Sequence, residues 1–311
     1  MNAKEGCVAQ LSVTLVGRRL RNPLVLAAGI LGLSADGMLR VFRSGIAAVT
    51  TKSFSLNAWH GNPNPVVADL GFGLLNAVGL ANPGAQHMIR EITTLLRNRV
   101  PVIASIFGTS LEELEVVGRL LRRLPLLAVE LNVSCPHVKE VGGTFVTNYD
   151  LLRKAVRVVA RASGKPVIVK LPAEPSRIIE MAEAAEDGGA AGFTATNTIA
   201  ATDIDVELVR PVLSVTYGGM SGPALRPIAL ACVYTLYEVT EKPIIGCGGV
   251  ESWVDAVKFI LSGARCVGIG TAFSKEQPEQ LVPRILSGIR SYMRRHGYGS
   301  IEEMIGAAHK R

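Results

Sequence analysis

Eight short apolar runs of β type, each followed by polar or glycine residues, recur along this chain of 311 residues and constrain its fold more than any other feature. They cover 24–29, 47–53, 102–107, 128–134, 167–172, 192–198, 243–249 and 266–271. Most are separated by a helix-length amphipathic stretch, among them 111–124, 150–162, 176–187, 229–240 and 252–262, several with Ser, Thr or Asp near the start and Gly at the end. Alternating β and α units force parallel strands, and eight such units can close on themselves. The expected fold is therefore α/β, a (β/α)8 TIM barrel forming one domain over residues 1–311, with long active-site loops after strands 2, 4 and 6. An open doubly wound sheet would alternate in the same way. It lacks support, because the first run leads into Ala27-Ala28-Gly29-Ile30-Leu31-Gly32, whose glycine spacing is not that of the dinucleotide fingerprint.

Two connections are too long for simple links. Residues 54–86 are rich in Asn, Gly and Pro, and residues 199–224 contain Tyr217-Gly218-Gly219. Long loops at the carboxyl ends of barrel strands build active sites, so both are candidate lids. The apolar runs fall far short of the roughly 20 residues that cross a bilayer, which argues against a membrane protein. The first ten residues carry Lys4, Glu5 and Cys7 but no apolar core with a cleavage site, so a cytoplasmic location is expected. The cysteines, at 7, 135, 232, 247 and 266, show no paired spacing, which indicates neither a metal site nor a disulfide framework. The formal charge of +7 is spread along the chain, with small clusters only at Arg122-Arg123 and Arg294-Arg295. That pattern suits a solvated surface with an anionic small-molecule site rather than a nucleic-acid partner.

Polar residues gather at the strand ends: Lys52 and Ser53 after the second, Asn132 to Cys135 after the fourth, Lys170 on the fifth, Asn197 and Thr198 on the sixth. Barrel closure brings these ends to one mouth. Lysines amid β-branched residues are costly to bury alone, so Lys52 and Lys170 imply an anionic or hydrogen-bonding ligand; the plainer alternative is that each snorkels or pairs with a local carboxylate. The last two runs end in Gly246-Cys247-Gly248-Gly249 and Gly268-Ile269-Gly270-Thr271, each before a helix-forming stretch. Backbone N–H groups at such turns bind phosphate, and barrels often place that site after strands seven and eight. A phosphorylated cofactor is expected there.

Taken in order, Asn22-Pro23, Ala28-Gly29, Thr51-Lys52-Ser53, Gly61-Asn62-Pro63, residues 75–84 and Glu130-Leu131-Asn132-Val133-Ser134-Cys135-Pro136 resemble the dihydroorotate dehydrogenase family. The resemblance continues through Val169-Lys170-Leu171, Thr196-Asn197-Thr198, Gly218-Gly219-Met220-Ser221-Gly222-Pro223 and the two glycine turns, and so covers nearly the whole chain. It implies an FMN barrel that oxidises dihydroorotate to orotate in pyrimidine synthesis. Cys135 occupies the position of the base that removes the C5 proton while C6 gives a hydride to flavin N5. Its place past a strand end, beside Pro136 and near Lys139, suits a lowered pKa.

By the same resemblance Lys52 would meet substrate and flavin charge, and Asn76, Gly79, Leu80, Asn132, His137, Asn197 and Thr198 would bind substrate. Lys170 would stabilise the N1–O2 region of reduced flavin. Ala28, Gly29, Lys52, Ser53, Asn132, Thr196, Ser221, Gly222, Gly248, Gly249, Gly270 and Thr271 would join it in holding FMN. Cys232, Cys247 and Cys266 read as buried hydrophobes of a helix and of core strands.

One position departs from the pattern. The family usually has Asn two places after the cysteine, where this chain has His137. Dihydropyrimidine dehydrogenases are similar there, and at residues 194–198 and 216–219, but they carry cysteine-rich iron–sulfur modules absent from this chain. Residues 76–84 resemble the class that works with a separate subunit carrying FAD and an iron–sulfur cluster and passing electrons to NAD, around a homodimeric core. The quinone-reducing class is disfavoured, since its base is a serine. A non-catalytic flavin barrel would have lost the base or the ring-facing amides, and both are present.

Overall fold

The computed structural model describes residues 10–133 and 147–310. The first element of the described residues is an antiparallel hairpin of β1 (Val13–Leu15) and β2 (Arg18–Leu20), turned by Val16 and Gly17 at φ 42° and 82°. Two consecutive positive φ values match the twist of the flanking strands. Next come β3 (Leu24–Leu26), α1 (Ala35–Arg43) and β4 (Ala48–Thr50), then a hairpin of β5 (Val67–Asp69) and β6 (Leu74–Asn76). Helix α2 (Ala85–Arg97), β7 (Val102–Ile106), α3 (Leu111–Leu121), β8 (Ala128–Asn132), α4 (Tyr149–Ser163), β9 (Val167–Leu171), α5 (Ile178–Asp187) and β10 (Gly192–Ala195) follow in regular alternation. A second excursion holds β11 (Ile199–Ala201), β12 (Ile204–Asp205), β13 (Arg210–Pro211) and β14 (Gly218–Ser221). The alternation then resumes with α6 (Arg226–Val239), β15 (Ile244–Cys247), α7 (Trp253–Leu261), β16 (Cys266–Ile269), α8 (Pro278–His296) and α9 (Ile301–Met304).

Strands β3, β4, β7, β8, β9, β10, β15 and β16 pair in that order and close from β16 back to β3, parallel throughout. Each of the eight predicted runs supplies one barrel strand. The continuous burial of β7, β8 and β9 is what a sheet covered on both faces requires. Caps set the helix starts: Ser34, Ser110 and Asn148 accept from the N–H of Gly37, Glu113 and Leu151, and Ser252 forms a capping box with Asp255. The predicted helix at 229–240 begins earlier, at Arg226, because Pro227 is compatible with a first turn.

The two excursions differ from the loops expected after strands 2 and 6. They pair with each other as a four-stranded antiparallel sheet in the order β11-β14-β6-β5, with a small core of Leu75, Ala77 and Leu213. Their three- and four-residue strands are too short for an alternating pattern to declare itself. The loop expected after strand 4 falls at 134–146, outside the described residues. Among the described residues no helix is long and apolar enough to cross a membrane.

Candidate active site

A cavity of about 390 Å³ opens at the carboxyl ends of the barrel strands, within the range of small-ligand sites. Eighteen predicted site residues lie within the described chain, and all of them line it. Ala28 and Gly29 come from the end of β3, Lys52 and Ser53 from beyond β4, Asn132 from β8 and Lys170 from β9. Thr196, Asn197 and Thr198 follow β10, Ser221 and Gly222 close β14, and Gly248, Gly249, Gly270 and Thr271 follow β15 and β16. Asn76, Gly79 and Leu80 reach the cavity from the excursion that carries β6. Cys135 and His137 lie outside the described residues.

One end of the cavity is backbone. Gly222, Gly248 and Gly249 hold φ of 92°, 144° and 71°, a region that disfavours side chains. A Cβ on Gly249 would stand 2.5 Å from the Gly222 carbonyl oxygen, so these two turns touch directly. Thr271 donates its hydroxyl to Ser221 Oγ at 2.9 Å, tying the turn after β16 to β14. At Gly29 a Cβ would meet nothing within 4 Å, and at Gly270 only the Ala27 Cβ at 3.6 Å; side chains there would fill cavity space.

The other wall is polar. Asn76 Nδ2 donates to the Gly219 carbonyl at 2.9 Å, and Asn197 Nδ2 donates to Asn132 Oδ1 at 3.2 Å. Lys170 is 5% exposed, an ammonium brought into the barrel mouth as the strand pattern anticipated. Below this level lies a buried polar layer that the sequence reading missed. Glu130, 2% exposed, accepts from Ser105 Oγ at 2.9 Å and from Thr194 Oγ1 at 2.8 Å. Glu130 precedes Asn132 by two on the same strand, and a strand period of two puts both on one face; that signal was available. Ser105 and Thr194 become visible only through cross-strand register.

Cys247 ends core strand β15, as expected, and also lines the cavity. Burial pushes its thiol pKa up, Lys170 drawing it down and Glu130 raising it further. Cys232 and Cys266 are fully buried, in α6 and β16, and burial pushes each thiol up to about 12. Glu251, also on the cavity wall, pairs with Lys275 at 3.3 Å.

A family model described as Dihydroorotate dehydrogenase matches residues 10–293. The catalytic subunit of dihydroorotate dehydrogenase B (NAD(+)) from Methanothermobacter thermautotrophicus is 39% identical over 301 residues, 96% of this chain and 98% of the relative. The protein of the same name from Methanosarcina mazei is 42% identical over 303 residues, covering 96% of each chain. That from Pyrococcus abyssi is 40% identical over 300 residues, 96% of this chain and 99% of the relative.

Proposed function

This chain belongs to the dihydroorotate dehydrogenase family, and from that premise we propose that it oxidises (S)-dihydroorotate to orotate in de novo pyrimidine synthesis, using FMN. The observation that carries the reading is the convergence of Lys52, Asn76, Asn132 and Asn197 on a cavity whose opposite end is a glycine cradle.

The residues present fit FMN. Gly222, Gly248, Gly249, Gly270, Ser221 and Thr271 would take its phosphate, offering backbone N–H groups and hydroxyls without side chains in the way. Ala28, Gly29, Lys52, Ser53, Asn132, Thr196 and Lys170 would hold the ring end, with the ammonium of Lys170 as the local positive charge. When bound, FMN supplies the hydride acceptor for C6 of the substrate.

The chain's own work is binding, orientation and proton removal. Asn76, Asn132 and Asn197 carry amides, which can both donate to and accept from a pyrimidine ring. Gly79, Leu80, Thr198 and His137 complete the substrate site, and Lys52 meets the substrate's negative charge. Cys135 takes the proton from C5.

The relatives are named as catalytic subunits of an NAD(+) enzyme. We propose that this chain, as a single domain in the cytoplasm, is the catalytic half of an assembly whose other subunit carries FAD and an iron–sulfur cluster. A homodimeric core is part of the same reading; the exposed apolar side chains Ile204, Val206, Leu208 and Val209 around β12 and β13 offer it area.

A dihydropyrimidine substrate is the second reading, favoured by Ser134-Cys135-Pro136-His137. Anaerobic mixing of the purified flavoprotein with dihydroorotate and, separately, dihydrouracil decides between them. Loss of flavin absorbance with dihydroorotate alone is expected. Bleaching by dihydrouracil alone moves the assignment, and bleaching by neither removes both.

A further inference from the structure

The buried layer beneath the cavity is a directed chain of hydrogen bonds. A carboxylate only accepts, so the single hydroxyl hydrogen of Ser105 is committed to Glu130 at 2.9 Å. The 2.9 Å contact between Ser105 Oγ and Ser53 Oγ must then carry the Ser53 hydrogen, donated to Ser105. Ser53, its own hydrogen spent, accepts from Asn132 Nδ2 at 3.0 Å. With its nitrogen turned to Ser53, Asn132 presents Oδ1 to Asn197 Nδ2 at 3.2 Å. Asn197 Oδ1 in turn receives the Thr198 N–H at 2.9 Å. Ser105 is held in place from behind, since its own N–H donates to Thr51 Oγ1 at 3.0 Å, and it is the register partner of Glu130. The path is fixed at both ends, by the accepting carboxylate of Glu130 and by the Thr198 N–H, which can only donate, and the two ends agree in direction.

We infer that Glu130 is a positioning residue that fixes which way round Asn132 and Asn197 present their amides to the substrate. The inference rests on the substrate site proposed above and adds the device that orients it. An amide has a nearly symmetric shape but an opposite donor and acceptor on its two arms. Reversing the Asn132 amide would leave every heavy atom in place while removing its donor from Ser53 and setting its NH2 against that of Asn197, which the Thr198 N–H holds in its present orientation. Buried donors and acceptors left facing their own kind cost far more than a lost contact, so a ring with fixed N–H and C=O edges would be bound poorly. Glu130 reaches this outcome without touching the cavity, which it does not line.

The test uses the FMN-loaded protein and titrates orotate and uracil, following the change in the flavin absorbance spectrum. Glu130→Gln gives the buried end a donor arm, and Ser105→Ala cuts the path without touching Glu130. Each is expected to weaken binding about tenfold while FMN content stays at the wild-type level. The double variant is expected to be no weaker than the worse single, because both act through one path. Singles within twofold of wild type, or a double variant whose losses multiply, overturn the inference. Wild-type protein that responds to uracil and not to orotate overturns the substrate reading instead, and the same variants then score the path on the uracil titration.

Discussion

Asn76 on β6 stands directly opposite Gly219 on β14, and its side-chain Nδ2 donates to the Gly219 carbonyl oxygen at 2.9 Å. Two excursions that leave the barrel after different strands are thereby sewn together across 143 positions of sequence, and an amide on the cavity wall, proposed to meet the substrate, is aimed by a backbone carbonyl rather than by another side chain.

Gly219 permits this closeness. A Cβ there would stand 2.1 Å from Thr198 Oγ1 and 2.7 Å from Thr198 Cβ. Gly219→Ala must therefore push Thr198 aside, an overpacking that costs on the order of 1–3 kcal/mol. The KM for dihydroorotate is expected to rise about tenfold while the ratio of FMN to protein holds. Steady-state kinetics with flavin quantitation checks this; an unchanged KM removes Thr198 from the substrate wall.

Gly249→Ala should fail at the other end. The new Cβ would meet the Gly222 carbonyl oxygen at 2.5 Å, and at φ 71° it is strained wherever it points. The neighbour is backbone and cannot rotate away. Purified protein is expected to lose most of its FMN, with affinity down by roughly a hundredfold if about 3 kcal/mol of strain is released on opening the turn. Fluorescence titration with free FMN measures it, and a yellow variant with wild-type affinity refutes the cradle.

The barrel was legible because each strand is a β-branched apolar run that stops at a polar or glycine turn, and closure of such units leaves few alternatives. The cavity was legible for the same reason: Lys52, Asn132, Lys170 and Asn197 each lie at or within two residues of the carboxyl end of a different strand, and a barrel collects strand ends. The sheet of β11, β14, β6 and β5 was not, since its pairing depends on partners such as Gly219 and Asn76 that no local pattern connects. Ser105 and Thr194 escaped notice because an isolated hydroxyl in an apolar strand reads alike whether it points inward or outward. Cys247 is both the last residue of a core strand and part of the cavity wall, two places that composition alone does not separate.

The buried thiols predict alkaline instability. Burial holds Cys232 and Cys266 near 12, against an ordinary value of 9.0 that the unfolded chain regains. Above about pH 9 the unfolded state gives up protons that the fold retains, so this stabilisation is complete below pH 9 and is lost as pH rises toward 12. The full loss is on the order of 4 kcal/mol per thiol. Cys266→Ala is expected to flatten the fall of unfolding free energy between about pH 8 and pH 10.5, measured by urea titration. Parallel slopes for variant and wild type would refute it.

The same upward shifts bear on the proposal that Cys135 is the base. Cys232, Cys247 and Cys266 are each raised by burial, so a group that loses its proton in the neutral range is none of the three. On the proposed reading Cys135 is the base, and Cys135→Ala is expected to lower kcat by about 10²–10⁴-fold, with FMN content and orotate affinity close to wild type. Cys135→Ser keeps a hydroxyl that ionises far less readily, so partial turnover should return as pH rises, moving the acid limb of kcat/KM toward alkali. Cys247→Ala, on the cavity wall but with a thiol held neutral, should leave that limb where it is. Rate profiles from about pH 6 to pH 10 for the three variants separate the roles. A Cys135→Ala enzyme within a few-fold of wild type, or an acid limb that moves with Cys247, would transfer the proton to another group.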